Sequence, residues 1–263
     1  MDFTINHMYI PIHEIISRHK AGIKGILHLG AHLGEEAKDY HDSGIDRVIW
    51  IEGNPTLIDG LKENVSPYPQ NKVFNLLVSD KDNYPVSFNV TAFSQSSSIL
   101  DLGITKEIHG TNIIEKVTLT AHRLDSFFAE NDLDIRQYNF VNIDLQGYEL
   151  VALKSMGALL DNMDWVYAEV NVKRLYKDCA LLYQMDHFLL NHGFVRVQTF
   201  ITTHYWGDAL YKRVQVSPIK KMSAVAGIYV EEAGRLGSEF LKASLKDSKK
   251  IAKRIIKKIV GRQ

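Results

Sequence analysis

The sequence predicts an α/β fold built on a doubly wound sheet, and three observations carry that prediction. Short apolar runs alternate with amphipathic stretches along most of the 263 residues, no repeat or Pro/Gly/Ser-rich linker interrupts them, and 45% hydrophobic against 24% charged residues suffice for a large core. This composition excludes a disordered chain and a collagen-like repeat. Cys179, the single cysteine, excludes a disulfide scaffold.

Residues 25–30 (Gly-Ile-Leu-His-Leu-Gly) read as a short buried strand, and 35–43 as a helix entered through a glycine turn. The alternation then repeats: a second strand at 47–52, a helix at 55–65 with Pro55 in its first turn, and a third strand at 72–79. Residues 84–90 and 113–120 alternate apolar and polar positions, which predicts exposed or edge strands flanking a loop rich in Ser and Gly, a candidate lid. A short helix is expected at 124–131, a fourth core strand at 138–143, a helix at 148–156 and a fifth strand at 165–170. A helix at 179–191 is closed by His192-Gly193, a sixth strand follows at 194–201, and 209–216 is a seventh, antiparallel strand at the edge. Seven strands with interleaved helices make a Rossmann-like sheet, whose ligands bind at the carboxyl ends of the strands.

The chain carries 31 basic and 31 acidic side chains, a net charge of zero that hides an asymmetry. Ten Lys/Arg against Glu239 and Asp247 give residues 235–263 a net of +8, so residues 1–234 carry −8. The two expected domains are therefore an acidic body at 1–234 and a basic tail at 235–263. In the tail, Leu236, Phe240, Ile251, Ile255, Ile256, Ile259 and Val260 recur at helical spacing with Lys/Arg on the other face. Such a helix suits an anionic membrane surface, and equally suits packing on the body or on a second copy in a homo-oligomer. Nucleic acid is a poorer partner, because the acidic body repels phosphates. The first residues lack a basic stretch followed by an apolar run, so no signal peptide is expected. A cytoplasmic location follows as the expectation, peripheral to a membrane if the tail binds one.

The first loop reads His28-Leu29-Gly30-Ala31-His32-Leu33-Gly34-Glu35. Its glycines permit a sharp turn and close approach to a ligand, and the following helix offers free N–H groups. Taken alone, the same residues fit a tight turn with no ligand. Glu52, ending the second strand, is spaced to accept both hydroxyls of a ribose, and the two features together point to an adenosine-containing ligand. Dinucleotide sites carry a third glycine where this chain has His32, so a pyrophosphate fits poorly. S-adenosylmethionine has no phosphate. Ser79-Asp80, after the third strand, stands where an adenine amino group needs an acceptor, although Asp80 also reads as an ordinary turn acid.

Residues 26–213 resemble the FkbM family of S-adenosylmethionine-dependent methyltransferases. The resemblance rests on Leu29-Gly30-Ala31-His32-Leu33-Gly34, Ile51-Glu52-Gly53-Asn54-Pro55, Leu77-Val78-Ser79-Asp80, Ser96-Ser97-Ser98 and Arg123-Leu124-Asp125. It continues through Asn142-Ile143-Asp144-Leu145-Gln146-Gly147-Tyr148-Glu149 and Gly207-Asp208-Ala209-Leu210-Tyr211. Its most specific piece is Asp144-x-x-Gly147-x-Glu149 between a strand and a helix. The resemblance implies a class I methyltransferase sheet, S-adenosyl-L-methionine as cofactor, and a cofactor site formed by His28, Gly30, Ala31, His32, Gly34, Glu35, Glu52, Asn54, Ser79, Asp80 and Asp144. One departure is His28, where such enzymes often carry an acid that holds the methionine ammonium; Glu35, Asp144 or a backbone carbonyl would then take that contact.

Methyl transfer to an oxygen, on a sugar or glycan hydroxyl, is the activity that the resemblance implies. Asp144 is the first candidate for general base or orienter, with cofactor binding as its other role, and Glu149, Glu169 and His204 complete the catalytic candidates. Glu149 equally stabilises the start of a helix. Asp144, Glu169 and Asn171 form a candidate oxygen-ligand Mg²⁺ set. The aromatic stretch His204-Tyr205-Trp206 stacks on a sugar ring or packs on the edge strand. The rival readings are an NAD-dependent oxidoreductase, which shares Glu52, and a membrane-associated binding module with a degenerate cofactor site, for which His28 argues.

Overall fold

The computed structural model describes residues 8–214 together with Glu231 and Gly234. Two units divide the chain, Met1–Gln215 and Val216–Gln263, and the fold described below belongs to the first. The basic helix expected over 235–263 lies outside the described residues. No helix among the described residues is long and apolar enough to cross a membrane.

Along the chain the elements are α1 (Ile12–His19), β1 (Ile26–Leu29), α2 (Ala37–Asp42), β2 (Val48–Glu52), α3 (Ile58–Val65), β3 (Lys72–Asn75), β4 (Leu77–Val78) and β5 (Tyr84–Thr91). They continue with α4 (Thr105–His109), β6 (Ile113–His122), α5 (Leu124–Glu130), β7 (Phe140–Ile143), α6 (Glu149–Ser155), β8 (Trp165–Asn171), α7 (Leu182–Asn191), β9 (Phe194–Ile201) and β10 (Trp206–Arg213). Seven strands form one sheet in the order β3-β2-β1-β7-β8-β10-β9, and β4-β6-β5 form a second, smaller sheet. β1, β2, β3, β7 and β8 pair in parallel, while β10 runs antiparallel between β8 and β9. This is the expected doubly wound sheet.

The central strands read as unbroken apolar runs because both faces of a parallel sheet are covered. Alternate residues feed two cores. Leu27, Leu29, Ile49, Ile51, Val141, Ile143, Val166 and Ala168 pack on one face with residues of α5, α6 and α7. Ile26, Val48, Trp50, Phe140, Trp165 and Tyr167 fill the other with α1, Tyr40 of α2, and Leu61 and Val65 of α3. Each fully buried Leu or Ile contributes about 1.5–3 kcal/mol. The α1 helix, which the sequence reading did not find, caps the second core through Ile12 and Ile15.

Three further expectations need correction. The single strand expected at 72–79 breaks at Leu76: β3 stays at the edge of the main sheet, while β4 turns away to pair with Ala121 and His122 of β6. The seventh strand is antiparallel as expected, yet β9 occupies the edge and β10 the interior. Gly207 makes that position usable, because a Cβ there would overlap the Phe200 carbonyl oxygen of β9. The segment expected as helix from 179 starts only at Leu182, where Gln184 reaches back to the Leu181 N–H.

The sheet's carboxyl edge depends on a close approach of two loops. Gly30 leaves β1 at φ +85, its N–H and that of Ala31 donate to the Ile51 carbonyl, and a Cβ on Gly30 would overlap the Asp144 carbonyl oxygen. Gly44 has a similar φ of +80 but nothing within 4 Å of its would-be Cβ. Gly30→Ala is therefore expected to cost about 2–4 kcal/mol of unfolding free energy and Gly44→Ala about 1. Urea denaturation of both variants measures the difference, and equal costs would contradict the close approach.

Candidate active site

The loops that follow β1, β2, β7 and β8 leave the carboxyl edge of the parallel strands, and the turn after β1 is shaped by its own polar groups. His32, at φ +45, donates its backbone N–H to Glu52 Oε2 at 2.9 Å. Its ring pairs with Glu35 Oε1 at 2.6 Å and with Ser94 Oγ at 2.8 Å. Burial alone would lower the His32 pKa; the Glu35 carboxylate outweighs it with help from Glu52 and Asp144, and the net shift is upward. Glu52 ends β2 almost fully buried and also accepts the Asn54 N–H at 2.7 Å. Burial raises its pKa against those two hydrogen bonds. A carboxylate has about four acceptor positions, so two N–H groups leave capacity for a pair of hydroxyls.

The other predicted cofactor residues take varied places. His28 is buried in β1, stacked on Trp50 at 4.8 Å, with Nδ1 3.2 Å from the Tyr40 hydroxyl that also receives the Asn142 amide. Asn54 caps a 3-10 turn by accepting the Thr56 N–H. Ser79 is buried, with Oγ 3.4 Å from the Tyr148 hydroxyl, and Asp80 is exposed, its carbonyl accepting from Arg123. His204 lies exposed in the turn between β9 and β10, at this same sheet edge.

The strands align a row of acids. Ile143 pairs with Ala168 in parallel register, so Asp144 follows beside Glu169; Asp208 of β10 is directly opposite Glu169. Oxygens of Asp144, Glu149 and Glu169 lie within 4.8 Å of one another. Asn171, the third member of the expected cation set with Asp144 and Glu169, lies two residues beyond Glu169 on the same sheet face.

What holds these carboxylates together is a set of N–H and O–H donors. Gln146 donates from Nε2 to Asp144 Oδ1 at 2.6 Å and to Glu169 Oε2 at 2.9 Å, and its own Oε1 accepts the Tyr176 hydroxyl at 2.6 Å. Glu149, in the first turn of α6, accepts the N–H groups of Leu145 and Gly147 and so fixes the turn in which Gln146 and Gly147 adopt positive φ. Asp208 accepts the Tyr9 N–H at 2.8 Å and the Tyr167 hydroxyl. Ser98 Oγ donates to the Gln146 carbonyl, which ties the Ser-rich loop to the same turn.

Burying like charges disfavours their ionised forms. Burial first, then Asp144, Glu149 and Asp208, push Glu169 well above the ordinary carboxylate range. Burial also raises Glu149 despite its two backbone donors, takes Asp208 to about 7 and takes Glu36 to about 8. The charges raising Glu169 are all acidic.

Gln146, Tyr176, Asp208 and Tyr9 were not singled out by sequence reasoning. Asp208 had a signal, an acid inside an otherwise apolar strand; Tyr9 and Tyr176 come in from segments whose approach nothing local announces. Five buried side-chain atoms lack a partner among the described residues, and three of them are Asn171 Oδ1, Asn171 Nδ2 and Trp206 Nε1. Such an atom costs about 1–3 kcal/mol.

The model of the methyltransferase FkbM domain matches residues 28–196. The chain belongs to that family. Its members use S-adenosylmethionine, and the site fits this cofactor: a buried acid with spare acceptor positions ends β2, a glycine turn opens beside it, and an excess of carboxylates suits a ligand with sulfonium and ammonium charges. A dinucleotide's pyrophosphate would instead meet Glu35, Glu52 and Asp144, which counts against the oxidoreductase reading. Remote similarity also extends to solved methyltransferases. One is an S-adenosylmethionine-dependent enzyme from Aquifex aeolicus (11% identity, 78% of this chain and 91% of that one, TM-score 0.41). Another is the magnesium protoporphyrin IX methyltransferase of Synechocystis with bound S-adenosylhomocysteine (10%, 76% and 78%, 0.44). A third is TrmK of M. capricolum with the same product (7%, 75% and 67%, 0.41). No curated protein matches the chain. Membership rests on the family model and not on these remote likenesses.

The raised carboxyls set the sign of the pH dependence. Glu36 moves from 4.5 to about 8 and Asp208 from 3.8 to about 7, so between those values the folded state binds more protons than the unfolded one. The stability from each is complete below the unfolded pKa and is lost as pH rises through the folded value, by up to about 1.4 kcal/mol per pH unit per group. Thermal denaturation of the cofactor-free protein should give a falling melting temperature from pH 5.5 to 8.5 (roughly the span of these two groups), with a shallower slope for Glu36→Gln. A rising profile would contradict the assignment.

Proposed function

We propose that this methyltransferase transfers the methyl group of S-adenosylmethionine to a hydroxyl oxygen on a sugar or glycan. The observation that carries the reading is the Asp144–Gln146–Glu169 arrangement beside the cofactor turn, a carboxylate held in one orientation at a strand end where an acceptor arrives. Bound S-adenosylmethionine supplies an electrophilic methyl group. Asp144 orients the acceptor O–H and takes its proton as the oxygen bonds to the methyl carbon and the S–C electron pair stays on sulfur. Gln146 fixes Asp144 against Glu169, and Tyr176 fixes Gln146. Glu52 and the turn from Gly30 to Gly34 hold the nucleoside. Ser94 and Ser98 tie the Ser-rich loop over the turns after β1 and β7, which limits water at the reacting oxygen and is consistent with rate gained by positioning.

The basic tail supports a second part of the reading, peripheral attachment of a cytoplasmic enzyme to an anionic membrane, where an acceptor glycan is carried on a lipid. About 1 kcal/mol per basic residue near such a surface is reduced by salt.

Labelled S-adenosylmethionine incubated with cell glycan fractions should label a glycan ether. Asp144→Asn is expected to lower kcat by about 10²-fold or more while changing cofactor affinity far less; an unchanged kcat would remove Asp144 as the base. Full-length protein should float with anionic vesicles at low salt and be released at high salt, whereas a chain ending at residue 234 should not float. Equal flotation of both would reject attachment through the tail.

A further inference from the structure

Asn171 and Trp206 are direct cross-strand partners of β8 and β10, so their side chains leave the same face of the sheet at neighbouring positions. Asn171 is fully buried, and among the described residues neither atom of its amide has a partner; the buried Trp206 indole N–H has none among them either. Glu169 and Asp208 form the adjacent same-face pair, one step nearer the sheet centre. Three unpartnered polar atoms thus adjoin Glu169, the carboxyl that Gln146 ties to Asp144.

The surroundings are amphipathic. Trp206 packs against the cluster of Leu175, Tyr176 and Cys179, which also receives Leu100, Leu102 and Ile104 from the Ser-rich loop. The Tyr9 ring meets Trp206 edge-on at 5.2 Å. Tyr176 is the residue whose hydroxyl holds Gln146.

We propose that Asn171 and Trp206 form the acceptor's recognition subsite and that its ligand is a neutral, polyhydroxylated ring. This rests on the methyl-transfer reading above and names how the acceptor is held. A hydroxyl is one donor and two acceptors, so one hydroxyl can accept from the Trp206 N–H while donating to Asn171 Oδ1, and a neighbouring hydroxyl or ring oxygen can accept from Asn171 Nδ2. The apolar wall from Leu100, Leu102 and Ile104 suits the C–H face of such a ring. Neither Asn171 nor Trp206 carries a charge that could pair with a carboxylate or phosphate, and burying an unpaired anion beside them is costly, which selects against an anionic acceptor.

Saturation-transfer NMR on protein loaded with S-adenosylhomocysteine tests the subsite, with methyl glycosides of neutral hexoses and with methyl glucuronide as the anionic probe. At least one neutral glycoside should bind and the glucuronide should not. Asn171→Leu should weaken the binding about tenfold or more through loss of its hydrogen bonds, and Trp206→Phe should weaken it less. The melting temperature of Asn171→Leu should not fall, because no protein partner is lost; S-adenosylhomocysteine affinity should be unchanged in both variants. Glycoside binding that survives both substitutions overturns the subsite and leaves the sugar reading intact. Failure of every neutral glycoside to bind the loaded wild type overturns both. A lowered melting temperature with unchanged binding assigns Asn171 a structural role and also overturns the proposal.

Discussion

Asp144, Glu169 and Asp208 stand side by side at the ends of three adjacent strands, the first half-buried and the other two buried, and the need to hold these acids together organises the site around them. In a medium of low polarity, neighbouring carboxylates cannot all ionise without donors or cations close by. The chain answers with Gln146 between the first two, the backbone turn of Leu145 and Gly147 against Glu149, and Tyr167 with the Tyr9 N–H against Asp208. Each of these donors is itself placed by another part of the fold. Tyr176 holds Gln146, Glu149 opens α6, and the segment before α1 crosses the sheet to deliver Tyr9. A donor that is cationic in two places, as S-adenosylmethionine is, suits an environment of this sign.

In the proposed reading the same arrangement links chemistry to recognition. β8 and β10 carry the acids on one rung and the unpartnered Asn171 and Trp206 on the next, so a ring hydrogen-bonded on the outer rung would direct a hydroxyl toward the inner one. The Ser-rich loop touches the site at several points: Ser94 at His32, Ser98 at the Gln146 carbonyl, and Leu100, Leu102 and Ile104 on the Leu175–Tyr176–Cys179 cluster that Trp206 also meets. The turns after β1 and β7 and the apolar cluster around Tyr176 therefore share one loop, and a change in its sequence would alter all three.

Much of the fold was legible because the parallel strands are apolar runs ended by turn residues, a pattern that local sequence displays directly. The glycine turn after β1 and the acid closing β2 were legible for the same reason, since glycine and a strand-end carboxylate are local signals; that Gly30 packs against the Asp144 carbonyl was not, because that neighbour comes from another strand. Leu76, where the third strand divides between two sheets, carries no such signal; either half is a good strand, and only the pairing offered by β6 decides. The place of β10 inside the sheet was likewise hidden, because edge and interior antiparallel strands of this length have similar composition. In the site, the assignments drawn from single motifs named Asp144, Glu149 and Glu169, but Tyr176 and Tyr9 reach them across large sequence separations that no periodicity encodes. His28 shows the converse: a departure at a motif position proves to be part of a buried chain with Tyr40 and Asn142, a role its neighbours in sequence do not disclose.

The central claim is that the turn after β1 and Glu52 hold S-adenosylmethionine beside a cluster of acids that suits its positive charges. Calorimetric titration of the full chain with S-adenosylmethionine and, separately, with NAD tests it most directly. The account predicts saturable binding of S-adenosylmethionine at one site per chain, strongly weakened by Glu52→Ala, and no binding of NAD. Binding of NAD with none of S-adenosylmethionine would contradict it.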